Sequence, residues 1–139
     1  MSEIKFDLGG KSYNVTCADG QVREVYINTS DFNISQRMEE SKSKLKELEK
    51  EYNDIKAEDL FKMLPGLDKK TREILNYIYG MDICGVVFGN VNTWTLAQST
   101  GLPIWIGFND AMRAEIIADI SDDEKLKRFE KSLKKYEKK

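Results

Sequence analysis

Side chains able to do acid–base, nucleophilic or metal chemistry are scarce in this sequence, because it contains no histidine. The commonest general base near neutral pH and the commonest metal ligand are therefore missing. Nucleophile pairs of the Ser-His and Cys-His types are excluded for the same reason. The two cysteines, Cys17 and Cys84, are too few for a zinc site and lack the CxxC spacing. We expect a protein that is not an enzyme and that holds no cofactor or metal.

Carboxylates between residues 110 and 123 form the strongest candidate for a cation site. Glu115 and Asp119 are four residues apart, so they are neighbours on one helix face. Together with nearby acids they could supply the oxygen ligands that hard cations prefer. Acids at the end of one helix and the start of the next are also typical of helix caps and solvated faces, and we favour this second interpretation. The nearby acids are Asp110, Asp122 and Asp123.

Charge and hydropathy argue against nucleic acid and membranes as partners. The net charge is −2, and no stretch approaches the ~18 apolar residues of a membrane-spanning helix. The basic residues from 125 to 139 could contact an acidic surface, but lysines on the wet side of a soluble helix are the simpler interpretation. The start of the chain alternates polar and apolar residues and lacks the pattern of a signal peptide. We expect a cytoplasmic protein.

Large apolar side chains are the remaining candidates for function, and they fall into two groups. One group follows a heptad spacing between residues 34 and 55, and the other surrounds the two tryptophans. Such side chains either fill the core of their own domain or bind another protein, and the heptad stripe can also pair with a second copy of the chain. The candidate protein-binding residues are Met38, Leu45, Leu48, Tyr52, Ile55, Trp94, Trp105, Phe108 and Met112.

The N-terminal region has the alternating pattern of β-strands. Apolar and polar residues alternate in segments 3–8 and 12–17, and Gly9-Gly10 between them suits a two-residue hairpin turn. Asp19-Gly20 is a second turn signal, and residues 22–27 follow it either as a third strand or as part of a helix starting near Gln21. The alternating apolar residues are Ile4, Phe6 and Leu8 in the first segment and Tyr13, Val15 and Cys17 in the second.

Helical periodicity dominates the rest of the chain. The heptad segment predicts one long amphipathic helix over about residues 34–57, preceded by the capping residues at 28–31. Pro65-Gly66 predicts the end of an apolar segment, after which Asp68 caps a helix that ends at Gly80. Residues 81–103 predict an irregular connection with one helical turn at 82–88. Helices are predicted at 104–120 and after the capping box at 121–124.

These elements predict the α+β class, mainly α, in which an N-terminal β-hairpin or small antiparallel sheet packs on four to five helices. We expect residues 1–139 to form a single domain, because the chain is too short for two of ordinary size and contains no linker. Within it, residues 1–27 form the hairpin region and residues 28–139 the helical body.

The order of several short motifs resembles that of small proteins from phages and prophages of low-GC Gram-positive bacteria. Those proteins are similar to the tail assembly chaperones of long-tailed phages, and the likeness covers most of the chain. The segments that carry it are 25–34, 37–40 before the charged helix, 87–92, 108–111 and the lysine-rich 134–136.

The resemblance implies a helper protein in the cytoplasm of the bacterial host. Such chaperones coat the tape-measure protein, recruit tail-tube subunits and are generally absent from the finished virion. The family has no catalytic residues to carry over to this chain. Two other classes stay open: a structural virion component of the tail or of the head–tail joint, and a small phage regulator or anti-defence protein that binds a host protein. A homo-oligomer is also open.

Overall fold

The computed structural model describes residues 1–120 together with Lys127, Glu130 and Lys131. In this part of the chain the fold is α+β and mainly helical, as predicted, with a two-stranded antiparallel sheet near the N-terminus. The predicted last helix, after residue 120, lies outside the described residues. The elements in chain order are β1 (Lys11–Thr16), β2 (Val22–Ile27), α1 (Phe32–Asp54), a 3-10 turn (Ala57–Asp59), α2 (Leu60–Tyr79), α3 (Ile83–Val87) and α4 (Ile104–Ile120).

The prediction of a hairpin across Gly9-Gly10 is wrong. β1 instead pairs with β2, so that Asn14 lies opposite Glu24, and residues 1–10 form no strand. The chain reverses at Asp19-Gly20, the second turn signal, where the Gly20 N–H donates to the Cys17 carbonyl at 2.9 Å. Gly20 has a φ of 84°, a conformation that glycine adopts without a steric penalty. Residues 22–27 are therefore the partner strand and not the start of a helix.

An ion pair closes this turn. Arg23 donates to both carboxylate oxygens of Asp19, at 2.9 and 2.6 Å, and the Gln21 N–H donates to the same carboxylate at 3.0 Å. The Arg23 hydrogen bonds, followed by the Gln21 N–H, lower the pKa of Asp19 from near 3.8 to about 2. Because the folded-state pKa is depressed, the pair stabilises the fold fully above the unfolded value and loses this contribution as the pH falls towards 2.

We expect Arg23→Gln to raise the pKa of Asp19 back towards its ordinary value, because the strongest donors to the ionised carboxylate are removed. An NMR titration of the side-chain carboxyl carbon measures this pKa directly. Arg113→Gln, on the exposed surface of α4, is the control and should leave the titration unchanged. A pKa that stays at about 2 in Arg23→Gln would contradict this account of the turn.

The first ten residues run along the outside of the protein. Ile4, Phe6 and Leu8 are 86%, 74% and 61% exposed. The segment is held where it meets β1, because the Asn28 side-chain amide donates to the Leu8 carbonyl at 2.7 Å. An alternating apolar segment is thus exposed beside a sheet of only two strands.

The long helix forms as predicted, with small shifts at both ends. Asp31 is its N-cap and accepts a hydrogen bond from the Asn33 N–H at 2.9 Å, and the helix ends at Asp54, a few residues earlier than expected. Its buried residues follow the heptad spacing, so this stripe faces the protein and packs on α2. The buried stripe comprises Ile34, Met38, Ser41, Leu45 and Leu48.

The predicted helix break at Pro65-Gly66 is wrong, and so is the role of Asp68 as a cap. α2 is continuous from Leu60 to Tyr79 with Pro65 inside it. Proline costs one backbone donor and crowds the carbonyl four residues earlier, but here it is exposed within the first turns of the helix, where water can satisfy that carbonyl. The buried side chains of Leu67 and Thr71 hold the following turn in place, and the Thr71 hydroxyl donates to the Leu67 carbonyl at 2.8 Å.

The remaining helices agree with the predictions made from the sequence. α2 ends at Gly80, residues 83–87 form the expected helical turn within the 81–103 connection, and α4 occupies 104–120. In that connection an isolated β-bridge joins Leu96 to Pro103. The core lies between the helices and the inner face of the hairpin. Its most deeply buried apolar residues are Leu75, Ile78, Ile83 and Cys84.

Candidate protein-binding groove

The acids proposed for a cation site are not brought together. Asp119 pairs with Lys11 at 3.2 Å and also accepts a hydrogen bond from the Thr29 hydroxyl, whereas Asp110 and Glu115 are exposed. Among the described residues, no three Asp, Glu or Cys side chains form a metal-binding group. Asp122 and Asp123 lie outside the described residues. The favoured interpretation of these acids as capping or solvated side chains fits the exposed Asp110 and Glu115, whereas Asp119 is partly buried and paired with Lys11.

Both cysteines are buried free thiols. Burial raises the pKa of the Cys84 thiol to about 12, although Arg72 acts in the opposite direction. Cys84 is therefore a neutral thiol near pH 7, and its sulfur lies among the apolar residues of the core. It packs as a small apolar side chain.

The candidate protein-binding residues lie mostly in the core. Met38, Leu45, Leu48, Trp94, Trp105 and Met112 are at most 7% exposed. Tyr52, Ile55 and Phe108 are partly buried and pack against the same core. A second protein cannot reach Leu45, Leu48 or Trp94 unless the fold opens. Phe108 and Met112, by contrast, also line the groove described below.

The aromatic members of this set join separate helices. Trp94 stacks on Tyr52 of α1 with ring centroids 4.8 Å apart, and Trp105 of α4 meets Trp94 edge-on at 5.4 Å. The Trp94 indole N–H donates to the Thr71 hydroxyl of α2 at 2.8 Å. Phe108 packs edge-on against Phe88. The tryptophan region therefore ties α1, α2 and α4 together.

A partly buried polar network, which no sequence motif indicated, holds the loop after α3 in place. One oxygen of Asp68 accepts from both the backbone N–H and the hydroxyl of Thr93, each at 2.7 Å, and its other oxygen accepts from Arg72 at 3.0 Å. Arg72 also donates to the carbonyls of Gly89 and Val91, both at 2.8 Å. Because Asp68 and Arg72 are four residues apart on α2, the spacing alone indicated their pairing but not their loop partners.

An apolar groove lies between β1 and α4 and is open to solvent. Its volume is about 710 Å³. Tyr13 and Val15 of β1 line one wall, and the end of α3, the loop over residues 91–103 and α4 line the rest. The exposed acids Asp110 and Glu115 lie at its border. The apolar lining includes Val87, Phe88, Ile104, Phe108 and Met112.

The backbone of β1 is exposed along this groove. The Cys17 N–H donates to the Gln21 carbonyl at 2.8 Å, and hydrogen-bonded pairs alternate along an antiparallel ladder. The backbone groups of Lys11, Tyr13 and Val15 therefore face β2. Those of Ser12, Asn14 and Thr16 face away from it, and in the part of the chain that the structure describes no other strand pairs with β1. We call this outer side of Ser12, Asn14 and Thr16 the β1 edge.

Comparison of the chain with protein-family models, with curated proteins and with solved structures found no match. The groove and the β1 edge are therefore interpreted from their own residues. Within the described residues, no helix has both the length and the apolar character needed to cross a bilayer.

Proposed function

We propose that this chain is a non-catalytic helper that binds segments of other proteins in the groove between β1 and α4. The observation that carries this proposal is the combination of an apolar groove with a strand edge along one wall that has no strand partner among the described residues. Exposed strand edges present backbone donors and acceptors that a further strand can pair with. Apolar grooves of this kind supply pockets for the alternate side chains of such a strand.

The geometry favours an extended segment with apolar residues at every second position. Its backbone would pair with the β1 edge, while alternate side chains point into the groove beside Tyr13 and Val15. The exposed carboxylates of Asp110 and Glu115 at the border favour a segment with a basic residue next to the apolar ones. The groove thus combines backbone affinity with side-chain selectivity.

The resemblance to tail assembly chaperones supplies the identity of the partners. We propose that the clients are the tape-measure and tail-tube proteins of a long-tailed phage, bound in the host cytoplasm before assembly. Their exposed apolar segments would be covered by this chain until the tail is built, because exposed apolar strands otherwise pair with one another.

The test is co-expression of the chain with the tape-measure and tail-tube proteins of the same phage genome, followed by pull-down. Val15→Arg places a charged side chain in the groove wall, and we expect it to reduce client recovery by about tenfold or more. Val22→Arg is the matched control, because it makes the same change on the exposed outside of the same sheet. Circular dichroism checks that both variants are folded.

If the wild-type chain recovers neither client, the proposed function is wrong. Equal recovery by Val15→Arg and Val22→Arg would show that clients bind another surface. Detection of the chain in purified virions would favour a structural tail component instead, and selective capture of an identified host protein would favour a regulator.

A further inference from the structure

We propose that, in the free protein, the groove between β1 and α4 is occupied by residues 3–8 of a second copy of the chain. Each copy would add its N-terminal segment to the β1 edge of its partner and accept the partner's segment in return. The inference rests on the groove of the proposed function and names its occupant when no client is present.

The segment has the side-chain pattern that the groove requires. If residues 3–8 pair antiparallel with β1 so that Leu8 lies opposite Lys11, then Phe6 lies opposite Tyr13 and Ile4 opposite Val15. Residues directly opposite each other in a sheet project to the same face. Tyr13 and Val15 line the groove, so the exposed side chains of Phe6 and Ile4 would be buried over it.

The hydrogen-bonding phase of β1 agrees with this register. The outward backbone groups of Ser12 and Asn14 would pair with those of Asp7 and Lys5. Phe6 and Tyr13 would then form a non-hydrogen-bonded pair, in which the Cα atoms and side chains approach most closely. An aromatic pair at such a position is among the favourable cross-strand contacts.

The course of the chain before β1 favours a second copy over the chain's own segment. Folding back across Gly9-Gly10 as a two-residue hairpin would make Leu8 and Lys11 a hydrogen-bonded pair, but the backbone groups of Lys11 already face β2. Gly10 packs so closely against the Tyr26 side chain that a Cβ there would overlap the ring hydroxyl. Asn28, which follows β2, holds the Leu8 carbonyl, and residues 3–8 are not among the residues that line their own groove.

A two-fold axis allows both copies to make the same contact at the same time. In the proposed register, facing residue numbers add to the same odd total, whereas an unbroken antiparallel pair about a two-fold axis needs an even one. Each strand must therefore be interrupted between Leu8 and Lys11, where Gly9 has a φ of 79° and leaves the extended conformation. Gly9 of one copy then lies near Gly10 of its partner. The axis passes between these glycines, and the segment of each copy reaches the groove of the other. The resulting contact is isologous and closed, which is the commonest arrangement in homodimers. It also covers the β1 edge, which is otherwise available for uncontrolled pairing.

The experiment is sedimentation velocity of the full chain across a concentration series. We expect a concentration-dependent dimer, and we expect Phe6→Asp to raise the dimer Kd at least about 30-fold because it removes the central aromatic anchor. Phe61→Asp is the matched control: it makes the same change at a phenylalanine that is 88% exposed on α2, and it should leave the Kd unchanged.

A second pair of variants tests the backbone pairing. Asn14→Pro removes the outward N–H at the middle of the β1 edge and should also raise the dimer Kd. Glu24→Pro removes the equivalent outward N–H of β2, directly opposite Asn14, and should not. Proline is tolerated on the free side of an edge strand, so both variants should fold, and circular dichroism checks this.

A wild-type chain that stays monomeric at all concentrations overturns the inference, as does a dimer whose Kd neither Phe6→Asp nor Asn14→Pro changes. These outcomes differ from failure of the proposed function. If the chain is monomeric but still recovers its clients through the groove, the inferred dimer is wrong and the proposed function stands. If the chain forms a dimer that Phe6→Asp weakens but recovers no client, the proposed function is wrong and the inferred dimer stands.

Discussion

The double variant Leu45→Asp plus Leu48→Asp is expected to be unfolded. Both leucines are buried in the face of α1 that packs on α2. Losing each one costs about 2–5 kcal/mol, and a buried carboxylate without a partner costs more. The sum reaches the ~5–15 kcal/mol that separates folded from unfolded domains. Far-ultraviolet circular dichroism and thermal unfolding measure the loss.

The matched control for this variant is Ser43→Asp plus Asn53→Asp. It adds the same charge to the same helix at two exposed positions, and we expect it to remain folded with nearly unchanged stability. A folded, cooperative Leu45→Asp plus Leu48→Asp protein would contradict the burial of the α1 stripe. If it is unfolded as expected, its failure to bind a partner says nothing about a binding surface on α1.

Asp68→Ala is expected to destabilise the fold by about 3–5 kcal/mol. The carboxylate accepts from the backbone and hydroxyl of Thr93, which is fully buried, and from Arg72. Truncation leaves the buried N–H and hydroxyl of Thr93 without their acceptor, and each buried donor left unpaired costs about 1–3 kcal/mol. Arg72 keeps its hydrogen bonds to the carbonyls of Gly89 and Val91. Urea unfolding measures the difference in the free energy of unfolding.

Asp54→Ala is the control for Asp68→Ala, because it removes an exposed acid at the end of α1. Its effect should be near zero or slightly stabilising, since an acid at a helix C-terminus opposes the helix dipole. Equal effects of the two substitutions would mean that the Asp68 network contributes no more than a surface charge. Loss of the network should also raise hydrogen exchange in residues 89–93, because Arg72 and Asp68 hold that loop.

Local signals in the sequence were sufficient to predict most of the helices. The heptad spacing and the capping residues at 28–31 predicted α1, glycine predicted the end of α2, and the apolar periodicity predicted the start of α4. Such features are encoded within a few residues of one another, so they can be recognised without knowing what the helix packs against. The effect of Pro65 was predicted wrongly, because the free-energy cost of a proline inside a helix depends on whether water can reach the backbone around it.

Strand pairing was decided by the tertiary structure. The residues of β1 have an alternating segment on each side in sequence, at 3–8 and at 22–27, and a glycine-containing turn signal lies between β1 and each of them. Both pairings satisfy the same local rules. The Arg23–Asp19 ion pair at one turn and the packing of Gly10 against Tyr26 near the other favour β2 as the partner.

The sequence by itself determined which side chains are apolar, which chemistries lack their residues and where most helices lie. Only the tertiary structure decided which apolar residues remain accessible. Leu45 and Trp94 are buried although their types and spacing suit a binding surface, whereas Tyr13 and Val15 line an open groove that no motif indicated. Periodicity identifies an apolar face, but burial depends on which other elements cover that face, and those elements come from distant parts of the chain.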